Sequence, residues 1–182
     1  MRSGSPIAAV VIVGALLGAC ASAPPDSRAG VQGEPAGDTT VRVEFLEPER
    51  FTDIQTAPGN DRQRDANLAE LRRHVELRAA PLLADGQRLE VTITDVDMAG
   101  QAEPWRTRAP EMRIVRDVYP PRIDLRFRLT DGAGTVLRSG ELSLRDPMFM
   151  ARTGGYASDR LRYEKALLDD WMEREFGAAR RG

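Results

Sequence analysis

Closely spaced acids are the residues of this 182-residue chain whose type and spacing raise the question of catalysis. Asp95 and Asp97 are one residue apart, and Asp169 and Asp170 are adjacent. Glycoside cleavage uses two carboxylates facing each other across a cleft, one of them held protonated. Asp95 and Asp97 fall at one strand end and point the same way, so that chemistry needs an opposing acid such as Glu103. The competing reading of Asp95 and Asp97 is strand-end capping and turn formation. Asp169 lies four residues after Lys165, and Asp170 four before Arg174, which reads as ion pairs on a solvent-facing helix. Arg162 and Glu164 read as part of the same solvated surface. His74 is the only histidine, in mid-helix, and reads as structural. No Gly-x-Ser-x-Gly elbow is present. One histidine and one cysteine leave zinc little to bind, and EF-hand spacing is missing, so no metal and no cofactor are expected.

Recognition is the other chemistry on offer. Glu103, Trp105, Arg106 and Tyr119 share a long loop, residues 99–121, with Pro104, Pro110, Pro120 and Pro121. Trp, Tyr and Arg are the types most enriched at binding hot spots, and long loops in compact domains are often functional. The competing reading folds this loop onto its own sheet with Trp105 as a plug.

Alternating patterns supply the elements that must position these residues. Val41, Val43 and Phe45 alternate with Arg42 and Glu44, and Leu89, Val91 and Ile93 with Glu90, Thr92 and Thr94. Ile123, Leu125, Phe127 and Leu129 alternate with Asp124, Arg126, Arg128 and Thr130. Each run predicts a strand with one buried face. Asp131-Gly-Ala-Gly134 predicts a hairpin, with Leu142 and Leu144 in the return strand. Leu68, Leu71, Val75 and Leu82 stripe a helix from about Asp61, ended or kinked at Pro81. Leu161, Leu168, Met172 and Phe176, widened by Leu167 and Trp171, stripe a second helix over about 159–176.

The expected fold is α+β: a two-layer sandwich with a mainly antiparallel four-stranded sheet and two helices on one face, in the order β-α-β-β-β-α. The other face would be open and charged, with Arg126 among its side chains. One reading makes it a merely solvated face, and the other makes it, together with the loop residues, a partner surface.

The N-terminus reads as an address. Arg2 precedes an apolar run, Ile7 to Leu17, too short for a span of roughly 20 residues. Leu17-Gly-Ala-Cys20 resembles a bacterial lipoprotein signal, which implies a diacylglycerol on the Cys20 sulfur. Ordinary secretory cleavage after Ala21-Ser-Ala23 and an uncleaved anchor are the alternatives. Pro24 stands against the first, because its ring usually blocks the peptidase. Ala21, rather than Asp, points to the periplasmic face of the outer membrane.

Residues 1–19 are then the signal peptide, 20–40 the lipidated cysteine and a flexible linker, 41–176 one domain, and 177–182 a disordered tail. A 20-residue linker reaches at most roughly 65 Å, so the domain stays near the membrane. Hydrophobic residues at 41% and charged residues at 30% suit a globular protein, and a net charge of −2 leaves no basic excess for nucleic acid, so no nucleic-acid partner is expected.

Five patterns in order resemble domain-of-unknown-function family 3016. They are Phe45-Leu-Glu-Pro-Glu-Arg-Phe-Thr-Asp53, Asp95-Val-Asp97 with Ala99-Gly100, Glu103-Pro-Trp-Arg106, Pro121-Arg-Ile123, and Arg162-Tyr-Glu-Lys165 followed by Leu168-Asp-Asp-Trp171. The family carries no assigned reaction, so the resemblance implies no catalytic residue. Looser similarity to small two-helix lipoproteins that act as assembly factors is analogy of fold alone. The expectation is a partner-binding or envelope-assembly module held on the membrane through Cys20, with an envelope protein or glycan as partner. The alternative is an envelope hydrolase using Asp95, Asp97 and Glu103. Oligomeric state and partner identity are left open.

Overall fold

The computed structural model describes residues 39–54, 60–103, 105, 112–151, 156 and 158–177. Cys20 and Arg106 lie outside them. Strand β1 (Thr40–Phe45) leads to α1 (Asp61–Ala79) and β2 (Arg88–Asp97). A two-stranded ribbon, β3 (Gln101–Ala102) with β4 (Arg113–Ile114), comes next. Strands β5 (Arg122–Thr130) and β6 (Val136–Arg145) and helix α2 (Arg162–Phe176) complete the chain. The main sheet has the order β1-β2-β5-β6.

The α+β sandwich is therefore the one its alternation predicts, with one refinement. The β2-β5 and β5-β6 pairings are antiparallel, whereas β1 lies parallel to β2. A helical crossover joins β1 to β2, and such a connection returns the chain in the same direction.

The core forms where both helices cover one sheet face. Val43, Leu89, Val91, Ile93, Ile123, Leu125, Phe127 and Leu144 meet Leu68, Leu71, Val75, Leu168, Trp171 and Met172. Phe127, Trp171 and Phe176 pack edge to face with centroids 5.7–5.8 Å apart. Gly140 faces Phe127 across β5-β6, and a Cβ there would stand 2.9 Å from the ring. Glycine makes the room that the aromatic trio uses.

Three sequence expectations about α2 are corrected. The helix begins at Arg162 rather than near residue 159, because Asp159 turns back and accepts the Leu161 amide at 2.8 Å. Glu164 and Lys165 are buried, not solvated. Asp169 does not pair with Lys165. Its carboxylate takes His74 Nε2 at 2.9 Å, the Tyr156 hydroxyl at 2.8 Å and Arg78 Nε at 3.2 Å. Lys165 instead bonds Glu70 at 2.5 Å and Asp159. The two helices pack together, so the flank expected to meet water meets α1 instead, and its charges find cross-helix partners.

A β-bulge in β2 decides how the acids are aimed. Ile93 pairs with Leu125 and Asp95 with Asp124, which leaves Thr94 as the extra residue. The alternation slips by one at that point. Val96 enters the core, and Asp95 and Asp97 turn to the open face.

Candidate functional site at the strand ends

Four strand-end positions form a row across the open face: Asp53, Asp97, Arg122 and Arg145. Asp53 is bridged to Asp97 through the backbone, and in the strand register Asp97 stands opposite Arg122 and Arg122 opposite Arg145. The segment after β1 reaches this row because Asp53 N donates to Val96 O and Met98 N to Asp53 O, both at 2.9 Å. Gly100 turns the chain out of β2 with φ +80°, and a Cβ would sit 2.6 Å from Ile114 O. Only glycine lets the β3-β4 ribbon close against this end.

Most charges here are locked in pairs. Arg122 donates to Asp95 at 2.6 Å and to Asp124 at 2.5 Å. Asp95 also accepts the Thr52 amide and hydroxyl, each at 2.6 Å. Asp124 accepts the Ser143 hydroxyl at 2.6 Å. Arg113 donates to Asp53 at 2.6 Å and to Gly100 O at 2.6 Å.

Two neighbouring acids consequently ionise differently. Burial pushes the Asp95 carboxyl up, but the bonds from Thr52 and the Arg122 charge outweigh it, and its pKa lies below the ordinary value of 3.8. Burial also pushes Asp97 up, Arg122 opposes, and the Asp53 and Asp95 charges add to the rise, so its pKa ends above that value. Among the described residues no hydrogen bond or ion pair reaches the Asp97 carboxylate.

A cavity of about 240 Å³ opens beside this row. Asp97, Arg122, Arg145, Gln101, Tyr119 and Pro120 are among its lining residues. A broader depression of about 640 Å³ lies further along the open face, where Glu90, Arg126, Arg128 and Glu141 meet.

The sequence-derived candidates are distributed unevenly. Tyr119 lines the cavity, and Arg126 lies exposed in the broad depression. Trp105 is 67% exposed and plugs nothing. Glu103 turns inward, is 1% exposed, and pairs with Arg116 at 3.3 Å. Of the three acids considered for hydrolysis, Asp97 lines the cavity, Asp95 is tied to Arg122 beside it, and Glu103 is not part of the lining.

Periodicity alone misses Thr52, Asp53, Arg113, Arg122 and Arg145. The signal for Thr52, Asp53 and Arg122 lay in the quoted patterns, since Phe45–Asp53, Asp95–Asp97 with Gly100, and Pro121–Ile123 all contribute here. The Arg162–Trp171 pattern instead supplies buried Glu164, Lys165 and Trp171, which build the fold. Among the described residues no group of three or more His, Cys, Asp or Glu side chains could hold a metal ion.

The family model described as "Protein of unknown function (DUF3016)" matches residues 39–174. No curated protein matches the chain.

Proposed function

Since the chain belongs to the DUF3016 family, whose function is unknown, we propose a role from the site itself: a non-enzymatic partner-binding or envelope-assembly module. It acts as a lipoprotein on the periplasmic face of the outer membrane, tethered through Cys20, and docks its partner on the open sheet face and the strand-end cavity. The supporting observation is the charge arrangement. The cavity offers one carboxylate, Asp97, and one guanidinium, Arg145, that no described residue pairs, within a frame of paired charges. Pre-organised polar groups of this kind fix the register of a partner.

Hydrolysis through Asp95, Asp97 and Glu103 finds less support, because two-carboxylate chemistry needs a second unlocked acid across the cleft. Asp53, the other acid lining the cavity, is bound to Arg113.

In-cell photo-crosslinking with the probe at Arg126 tests the docking role. A discrete protein or glycan adduct is expected. A folded, anchored protein that yields no adduct contradicts it.

A further inference from the structure

The strand-end cavity has a size and a charge balance that select its occupant. At about 240 Å³ it is smaller than the roughly 300–1,000 Å³ of pockets that enclose whole small ligands. It therefore has room for one group of something larger. Asp53 and Asp97 line it with Arg122 and Arg145, and Asp95, Asp124 and Arg113 are bonded to these lining residues, so the described charges together leave one negative charge in excess. Pairing puts that excess where one guanidinium, Arg122, serves both Asp95 and Asp124, and with Asp53 held by Arg113 it leaves Asp97 as the lining carboxylate that no described residue bonds. Tyr119, Val118 and Pro120 line the same cavity and offer an aromatic and apolar wall. A long aliphatic stem ending in a cation matches such a wall leading to a carboxylate. Arg145, exposed on the edge strand β6, is left to meet a carbonyl or carboxylate on the same ligand.

We infer that this cavity receives a single Lys or Arg side chain of a protein partner, with Asp97 as its counter-ion and Arg145 holding the adjoining backbone carbonyl. The inference rests on the docking role proposed above and narrows it to a protein partner presenting a basic side chain at this end of the sheet.

The probe is Nα-acetyl-lysine methylamide, titrated into the whole ¹⁵N-labelled chain in detergent micelles at neutral pH. The uncharged norleucine analogue is the control. Lysine amide is expected to shift the amide resonances of Asp97, Gln101 and Tyr119 saturably, with norleucine amide at least tenfold weaker. Asp97→Asn should abolish the shifts while spectra elsewhere superimpose. Val118→Arg alters a residue 66% exposed at the cavity and should block it with the protein's own cation. No saturable shift with lysine amide, equal shifts with norleucine amide, or shifts retained within twofold in both variants would overturn the inference. The titration needs no cellular partner. Lysine-amide binding without any crosslinked adduct would sink the docking role alone, and an adduct without lysine-amide binding would sink the cavity chemistry alone.

Discussion

Asp95 and Asp97 stand one residue apart on β2, and their surroundings drive their ionisation in opposite directions. Asp95, with its pKa lowered, adds stability above pH 3.8 that is lost as pH falls through its folded pKa. Asp95→Ala should cost about 2 kcal/mol at neutral pH, because it strips partners from Thr52 and Arg122. Asp97, with its pKa raised, makes folding weaken as pH rises from 3.8 through its folded pKa. Asp97→Asn should therefore be neutral or stabilising at pH 7. Urea unfolding of both variants at pH 7 checks the contrast, and equal losses would contradict it. Glu164 follows the same sign as Asp97. Burial pushes its pKa above 4.5, the Ala99 amide bond at 2.7 Å opposes, and Oε2 has no hydrogen-bond partner among the described residues. Glu164→Gln should remove the loss of stability that begins above pH 4.5, read as a flatter Tm-against-pH curve.

Elements explain why such residues were only partly legible. Alternation identified each main-sheet strand and its buried face, because a half-buried strand needs period two. It did not reveal the bulge at Thr94, although Ile93 and Val96 stand three apart and no regular strand buries both. Nor does alternation say which strand ends meet. Arg122 bonds Asp95 across 27 positions, and Arg113 bonds Asp53 across 60. Helix surfaces misled for a related reason. Charges at i and i+4 suggest local pairs, but a helix packed against a helix finds partners across the interface. Asp169 braces α2 to α1 through His74 and Arg78, and reaches Tyr156 ahead of α2. Burial pushes Asp169 up, but its bonds with His74, Tyr156 and Arg78 hold it below 3.8. Asp169→Ala leaves the buried His74 without that partner and should cost about 3 kcal/mol. A thermal unfolding midpoint unchanged by this substitution would rule out the brace.

At the scale of the whole molecule, one face is given to stability and the other is left open. Both helices cover the first. The second carries the cross-strand rows Arg42–Glu90–Arg128–Ser139 and Glu44–Thr92–Arg126–Glu141, ending in the cavity row. No described helix is long and apolar enough to cross a membrane, and the attachment proposed above is the lipid anchor on Cys20. Cys20→Ser should abolish incorporation of labelled palmitate in bacterial cells, and label retained by the variant would contradict the anchor.

Docking of a partner at the strand ends is decided by comparing photo-crosslinking probes at Val118 and Leu77. Both residues are exposed, at 66% and 62%, but Val118 lines the cavity and Leu77 lies on α1, in the layer that covers the opposite face. One discrete adduct is expected from Val118 and none from Leu77. Equal adducts from both positions, or none from Val118 in a folded and anchored protein, would contradict it.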